Sequence, residues 1–98
     1  MTERPSIAFA PHRDTVRRIV AAHRARNPRV FGSVARGEDA EGSDLDLLVE
    51  TADGTSLFDL AAIELALEDL LKVPVYVTTD GALRGALRER ILADAQPV

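Results

Sequence analysis

Residues 30–50 read VFGSVARGEDAEGSDLDLLVE, and this stretch is the most informative part of the chain. An apolar segment runs into Gly32 and Ser33, and a polar loop then leads to Asp44 and Asp46 at the start of a second apolar segment. A glycine lets the backbone approach a ligand closely, and free amides at a helix start attract anions. Carboxylates are ligands that Mg²⁺ prefers in proteins. The stretch therefore predicts phosphate-binding and metal-binding groups close together in the chain.

Apolar spacing and turn residues predict the elements around this stretch. They predict a helix from Pro11 to about Asn27, a strand at Arg29–Phe31, a helical turn from Ser33 to about Arg36 ended by Gly37, a strand at Leu45–Glu50, a helix from Ser56 to about Leu71, a strand at Val73–Thr78 and a last helix capped by Asp80. The order favours an α/β (α+β) fold in which a small mixed β-sheet packs against helices.

Alternation along the second strand sorts its residues onto two faces. Asp44, Asp46, Leu48 and Glu50 are expected on one face, and Leu45, Leu47 and Val49 on the other. The Cα atoms of Asp44 and Asp46 are then about 6.5–7 Å apart. Both carboxylates can converge on one Mg²⁺ or flank a pair of ions.

The size and composition of the chain set further expectations. A chain of 98 residues with 46% apolar residues predicts one domain over residues 1–98, with residues 1–10 as a loose N-terminal arm. The sequence has no cysteine and no apolar run of about 20 residues, so we expect a cytoplasmic protein without a membrane span.

Charge is distributed unevenly along the chain. Residues 1–36 carry eight arginines against two acids, and residues 37–98 carry fourteen acids against four bases, which gives the net charge of −4. This balance argues against direct binding of duplex DNA. The arginines predict either a solvated helix face or a basic wall beside a nucleotide or an acidic partner.

Taken singly, the motif residues have ordinary explanations. Gly32 and Ser33 could form a plain turn with a helix cap, and an isolated Asp-x-Asp is usually a solvated strand end. Arg36 adds a positive charge within one turn of Ser33. His23 is best explained as a packed histidine, and His12 as solvent-exposed.

The combination is more specific than its parts. Gly32-Ser-Val-Ala-Arg-Gly37, five intervening residues, and Ser43-Asp-Leu-Asp-Leu-Leu-Val49 together resemble the signature of the DNA polymerase β nucleotidyltransferase superfamily. In so short a chain, the match is closest to the minimal nucleotidyltransferases, the MntA-like antitoxins. The resemblance implies a polymerase β-like nucleotidyltransferase fold over nearly all of the chain.

The resemblance also implies a chemistry. Such proteins transfer a nucleotidyl group, here AMP from ATP, to a hydroxyl in a Mg²⁺-dependent reaction. Gly32 and Ser33 would hold the triphosphate, with Arg36 and Ser43 of the same motif beside it. Asp44 and Asp46 would ligate the metal and act in catalysis. The implied partner is a HEPN-domain toxin, an RNase, held in a hetero-oligomer and neutralised by modification of a tyrosine, by binding, or by both.

One position departs from the family pattern. The superfamily usually carries a third carboxylate on a later strand, and the matching segment here is Val75-Tyr76-Val77. A phenol is neutral at pH 7 and is a poor ligand for Mg²⁺. Glu50, roughly 13 Å along the strand from Asp46, and Asp80 are unconvincing substitutes.

Three functions therefore compete. The first is an active minimal nucleotidyltransferase whose acceptor is a partner protein. The second, favoured by Tyr76, is a weak or inactive module of the same fold that neutralises the toxin by contact. The third, a small-molecule nucleotidyltransferase, is weaker because such enzymes usually add a second domain.

Overall fold

A computed structural model describes residues 3–98. Its helices are α1 (Pro5–Phe9), α2 (Arg13–Ala22), α3 (Gly32–Arg36), α4 (Leu57–Leu71) and α5 (Gly85–Asp94), with 3₁₀ turns at Ala10–His12 and Asp80–Ala82. Its strands are β1 (Ala25–Phe31), β2 (Leu45–Thr51), β3 (Val75–Thr79) and β4 (Gln96–Pro97).

The four strands form one mixed sheet in the order β3-β2-β1-β4. β1 pairs antiparallel with β2 and with β4, whereas β2 and β3 are parallel. The α4 helix connects these two parallel strands, as a crossover must. The predicted fold class, a small mixed sheet packed against helices, is confirmed.

The alternation predicted for β2 is also confirmed, and it divides the core in two. Leu45, Leu47 and Val49 belong to the main core beneath α1, α2 and α4. On the opposite face, Leu48 packs with Phe31 of β1 and with apolar residues of the last helical region. Only part of this second face is covered, and its uncovered part contains the acidic motif.

The prediction of a loose arm over residues 1–10 is wrong for the described part of that segment. Pro5–Phe9 is a helix, and Phe9 is only 1% exposed. The carboxylate of Asp39 accepts a hydrogen bond of 2.9 Å from the Ser6 amide. The sequence pattern gave no sign of this because the contacts come from distant segments. Residues 1 and 2 lie outside the described residues.

Several predicted boundaries also need correction. α2 ends at Ala22, well before Asn27, because Arg24 takes a left-handed conformation and the chain then enters β1. Asn27 has φ +50° in that strand, where the pairing with β2 shifts register. Asp80 does not cap α5, since its carboxylate accepts hydrogen bonds from Arg88. The short strand β4 was not predicted.

No helix within residues 3–98 has both the length and the apolar character that a membrane crossing requires.

Candidate active site

The acidic motif begins at the first residues of β2. Asp44 is exposed and directly precedes the strand, Leu45 is buried in the main core, and Asp46 is partly buried on the opposite face. Because neighbouring strand residues point to opposite faces, burial of Leu45 places both aspartates on the partly open side of the sheet.

Gly32 lies directly against Asp46. Phe31, the residue before it, pairs with Asp46 across β1 and β2, and Gly32 then turns the chain with φ +69°. A Cβ at residue 32 would lie 2.5 Å from Oδ2 of Asp46. Such a contact is shorter than real Cβ atoms show, so a side chain at residue 32 would force the Asp46 carboxylate to shift, and the positive φ separately favours glycine.

Ser33 lies in the first turn of α3, but it does not cap the helix as predicted. Phe31 occupies the cap position, and no side chain of the described residues caps the turn. Within residues 3–98 the Ser33 hydroxyl makes no hydrogen bond, so it is available to a ligand. The predicted end of this helical turn is confirmed, because Gly37 takes a left-handed conformation there.

The surroundings of Asp46 disfavour its charge. Burial and the neighbouring Asp44 carboxylate raise the pKa of Asp46 to about 6, against the smaller opposing effect of Arg36. Within residues 3–98, no hydrogen bond or ion pair compensates the carboxylate of Asp44 or Asp46. Two uncompensated carboxylates that repel each other form a donor set suited to a divalent cation.

These residues fit the Mg²⁺ that the motif implies. Within the described part of the chain, no group of three or more acidic, histidine or cysteine side chains could hold a metal ion. Asp44 and Asp46 therefore supply only two carboxylates. That number is usual for Mg²⁺, which keeps several water ligands and binds substrate phosphates.

Tyr76 lies beside Asp46 in the sheet. The two residues are register partners in the parallel pairing of β2 with β3, so their side chains project from the same face. Tyr76 is 49% exposed. A carboxylate at residue 76 would therefore stand next to Asp46, and this chain has a phenol in that position.

Arg36 and Ser43 are less available to a ligand than the motif suggested. Arg36 forms ion pairs of 2.9 Å with Glu38 and 2.7 Å with Asp94, and both carboxylates raise its pKa. The Ser43 hydroxyl accepts a hydrogen bond of 2.9 Å from the Ala40 amide, which stabilises the loop before β2.

A cleft of about 180 Å³ opens beside Gly32, between α3 and α5. Its lining includes Arg36 of α3 and Leu87, Arg90 and Asp94 of α5. Sequence reasoning missed this wall. Leu87 of α5 is 54% exposed, since the last helical region covers the sheet mainly through Leu83, just before the helix, and Ile91.

The small mixed sheet, the Gly-Ser turn and the paired carboxylates define a domain of the nucleotidyltransferase class. The family model described as a nucleotidyltransferase domain matches residues 14–98. The chain belongs to this family, and the resemblance noted from the sequence is confirmed.

Relatives agree with this assignment. A protein of Methanocaldococcus jannaschii, provisionally assigned as a protein adenylyltransferase, is 40% identical over 80 residues, which cover 82% of this chain and 86% of that protein. The protein adenylyltransferase MntA of Thermococcus cleftensis is 35% identical over 65 residues, 66% of each chain. Family and relatives support an enzyme of the nucleotidyltransferase kind.

Two solved structures resemble the fold. One, provisionally described as a minimal nucleotidyltransferase, has a TM-score of 0.85 and 44% identity, and the match covers 100% of this chain and 97% of that one. A chain in a crystal structure of a toxin-antitoxin with AMP-PNP has a TM-score of 0.74 over 87% of this chain and 70% of that one. At 16% identity, the second likeness shows the fold alone.

Proposed function

We propose that this protein transfers AMP from ATP, with Mg²⁺, to a hydroxyl of a partner protein, and that the partner is a HEPN-domain toxin which it neutralises as a cytoplasmic antitoxin. The contact between Gly32 and Asp46 carries the proposal. It joins the phosphate motif of α3 to the acidic motif of β2, so that a nucleotide at the turn would lie beside the carboxylates.

Each motif residue has a role that its environment supports. Asp44 and Asp46 would hold Mg²⁺, which supplies positive charge against the transferring phosphates when it is bound. The missing side chain of Gly32 leaves room beside Asp46, and the free hydroxyl of Ser33 can donate to a phosphate oxygen.

The reaction forms one bond and breaks one. The acceptor hydroxyl oxygen bonds to the α-phosphorus of ATP, the bond from that phosphorus to the bridging oxygen breaks, and pyrophosphate leaves. The hydroxyl proton passes to water, since Tyr76 stands where a carboxylate could have received it.

The relatives support the substrates. The two relatives above carry names that specify protein adenylylation. The structural neighbour combines a toxin-antitoxin with AMP-PNP, which is an ATP analogue. A partner toxin would also supply the acceptor hydroxyl.

A labelling experiment tests the proposal. The protein is incubated with ATP labelled on the α-phosphate, Mg²⁺ and the purified product of the adjacent gene. We expect label on that product with the natural protein and none with the Asp44→Ala/Asp46→Ala variant. An Asp53→Ala variant is the control, since Asp53 is an exposed acid of the turn after β2. Absence of label from a complex that still forms would refute the transfer.

Tyr76 favours a second function, in which the protein neutralises the toxin by contact and transfers AMP slowly or not at all. The register with Asp46 supports it, because the residue beside the metal ligands is not an acid. A Tyr76→Asp variant separates the two functions. If the missing carboxylate limits transfer, this variant labels the partner faster, with Tyr76→Asn as the uncharged control. An unchanged rate would show that the phenol is not the limitation.

A further inference from the structure

We propose that Arg90 of α5, outside the sequence motif, is the arginine that contacts the triphosphate in this site. The inference rests on the proposed function, because it assumes a nucleoside triphosphate at the Gly32 turn. It assigns to Arg90 the role that the motif suggested for Arg36.

Arg36 is already neutralised by protein groups. Its guanidinium donates to Glu38 at 2.9 Å and to Asp94 at 2.7 Å. These three groups together carry one net negative charge, which would repel a phosphate. The contact with Asp94 instead joins α3 to α5 and so holds the two walls of the cleft together.

Arg90, in contrast to Arg36, is not neutralised by a carboxylate of the described residues. It lines the same cleft as Gly32, Arg36 and Asp94, and within residues 3–98 it makes no hydrogen bond or ion pair. Asp94 lies one helical turn further along α5, where it could pair with Arg90, but its carboxylate is held by Arg36. The pairing of Arg36 with Asp94 therefore leaves the Arg90 guanidinium available.

The charges around the site show why this cation matters. Arg36 and Arg90 supply two positive charges, whereas Glu38, Asp44, Asp46 and Asp94 supply four negative ones. Without Arg90 the imbalance would grow from −2 to −3. An arginine can bind phosphate oxygens through two parallel hydrogen bonds, which are among the stronger hydrogen bonds in proteins.

Nucleotide titration tests the assignment. Binding of ATP and of AMP is measured with Mg²⁺ for the natural protein and for Arg90→Gln, Arg36→Gln and Arg84→Gln. Arg84 is a matched control because it lies just before α5 and, in the described part of the chain, donates hydrogen bonds only to the carbonyls of Gly81 and Leu83. We expect Arg90→Gln to weaken ATP binding about tenfold and AMP binding much less, since ATP carries two more phosphates.

The other variants complete the test. Arg84→Gln should bind both nucleotides normally. Arg36→Gln should lower the unfolding temperature, and it should reduce the preference for ATP over AMP less than Arg90→Gln does, since Asp94 is then free to pair with Arg90. The inference is overturned if Arg90→Gln binds ATP normally, if it weakens both nucleotides equally, or if Arg36→Gln alone loses the preference. Failure of the natural protein to bind ATP at all would instead refute the proposed function.

Discussion

Gly32 and Asp46 are coupled at the scale of single residues. A Cβ at residue 32 would strain the left-handed backbone and would also meet Asp46 Oδ2 at 2.5 Å. Gly37 offers a matched comparison, because it has φ +72° but no atom of residues 3–98 within 4 Å of a Cβ built there. The two glycines share the backbone requirement, and only Gly32 adds the contact with the carboxylate.

We therefore predict that Gly37→Ala lowers the free energy of unfolding by about 1 kcal/mol and leaves nucleotide binding intact. Gly32→Ala should cost about 2–4 kcal/mol and should also abolish ATP binding, because it displaces Asp46. Urea unfolding and ATP titration of both variants provide the measurement. Equal losses of stability with unchanged ATP binding would show that the contact has no functional role.

Asp46 gives a second prediction at this scale, about pH. Burial and Asp44 raise the pKa of Asp46 from 3.8 to about 6, so the folded protein binds this proton more tightly than the unfolded chain does. Above pH 6 the charged carboxyl of Asp46 therefore lowers the free energy of unfolding. As the pH falls from 6 toward 4 the carboxyl is protonated in the folded protein, and the lost stability is recovered.

Replacement of Asp46 by asparagine should therefore stabilise the metal-free protein at pH 7.5 by about 1 kcal/mol, after allowance for solvent screening. The gain should vanish near pH 4, where the natural carboxyl is protonated. Thermal unfolding in a chelator at both pH values measures it, with Asp53→Asn as the control. A stability gain of equal size at pH 4 would show that the gain does not come from removing the charge of Asp46.

At the scale of elements, α4 protects the free edge of β3. Within residues 3–98 this strand pairs only with β2, so its other edge would be open to a strand from another molecule. Glu64 and Glu68 of α4 accept hydrogen bonds from the Val77 and Val75 amides, at 2.8 and 3.1 Å. The helix that connects the parallel strands therefore also satisfies the outward amides of the second one.

We predict that Glu64→Ala/Glu68→Ala lowers the free energy of unfolding by about 2–4 kcal/mol and makes the protein prone to aggregate. Glu64→Gln/Glu68→Gln should recover much of the loss, because an amide oxygen still accepts. Asp69→Ala is the control, since Asp69 is exposed and, among the described residues, pairs only with Lys72. Light scattering and urea unfolding report both effects. If the alanine and glutamine variants aggregated at the same rate, a hydrogen-bond acceptor at residues 64 and 68 would not matter, and another part of the fold would protect the edge of β3.

Local signals in the sequence predicted the elements that local interactions create. Gly37 ends α3, and Ser56 with Asp59 forms the capping box that begins α4. Elements that depend on distant partners were missed. β4 exists only through its pairing with β1, and Asp80 binds Arg88 instead of capping a helix. No local pattern contains such information.

The candidate site also combines features that local patterns predict with features that depend on distant contacts. Alternation along the strands placed Asp46 and Tyr76 on their faces, but only the parallel register makes them neighbours. The motif identified Arg36, but its partner Asp94 is 58 residues away, and the cleft wall with Arg90 depends on how α5 packs. Sequence therefore predicted which strand faces carry the motif side chains, and not the charges that surround them.

At the scale of the whole molecule, the N-terminal segment completes the main core. Phe9 is 1% exposed and belongs to that core, and its ring lies 4.7 Å from the Arg13 guanidinium. Asp39, in the loop between the two motifs, binds the Ser6 amide. The segment that the sequence predicted to be a loose arm therefore supports both the core and the loop that leads to Asp44.

We predict that Phe9→Ala lowers the free energy of unfolding by about 3–5 kcal/mol, because it leaves a cavity in the core and removes the contact with Arg13. Ile7→Ala is the matched control on the same helix, since Ile7 is 48% exposed and should cost about 1 kcal/mol or less. Urea unfolding of both variants measures the difference. If Phe9→Ala were as mild as Ile7→Ala, residues 5–9 would be a loose arm in solution. The fold would then depend on α2, α4 and the sheet alone.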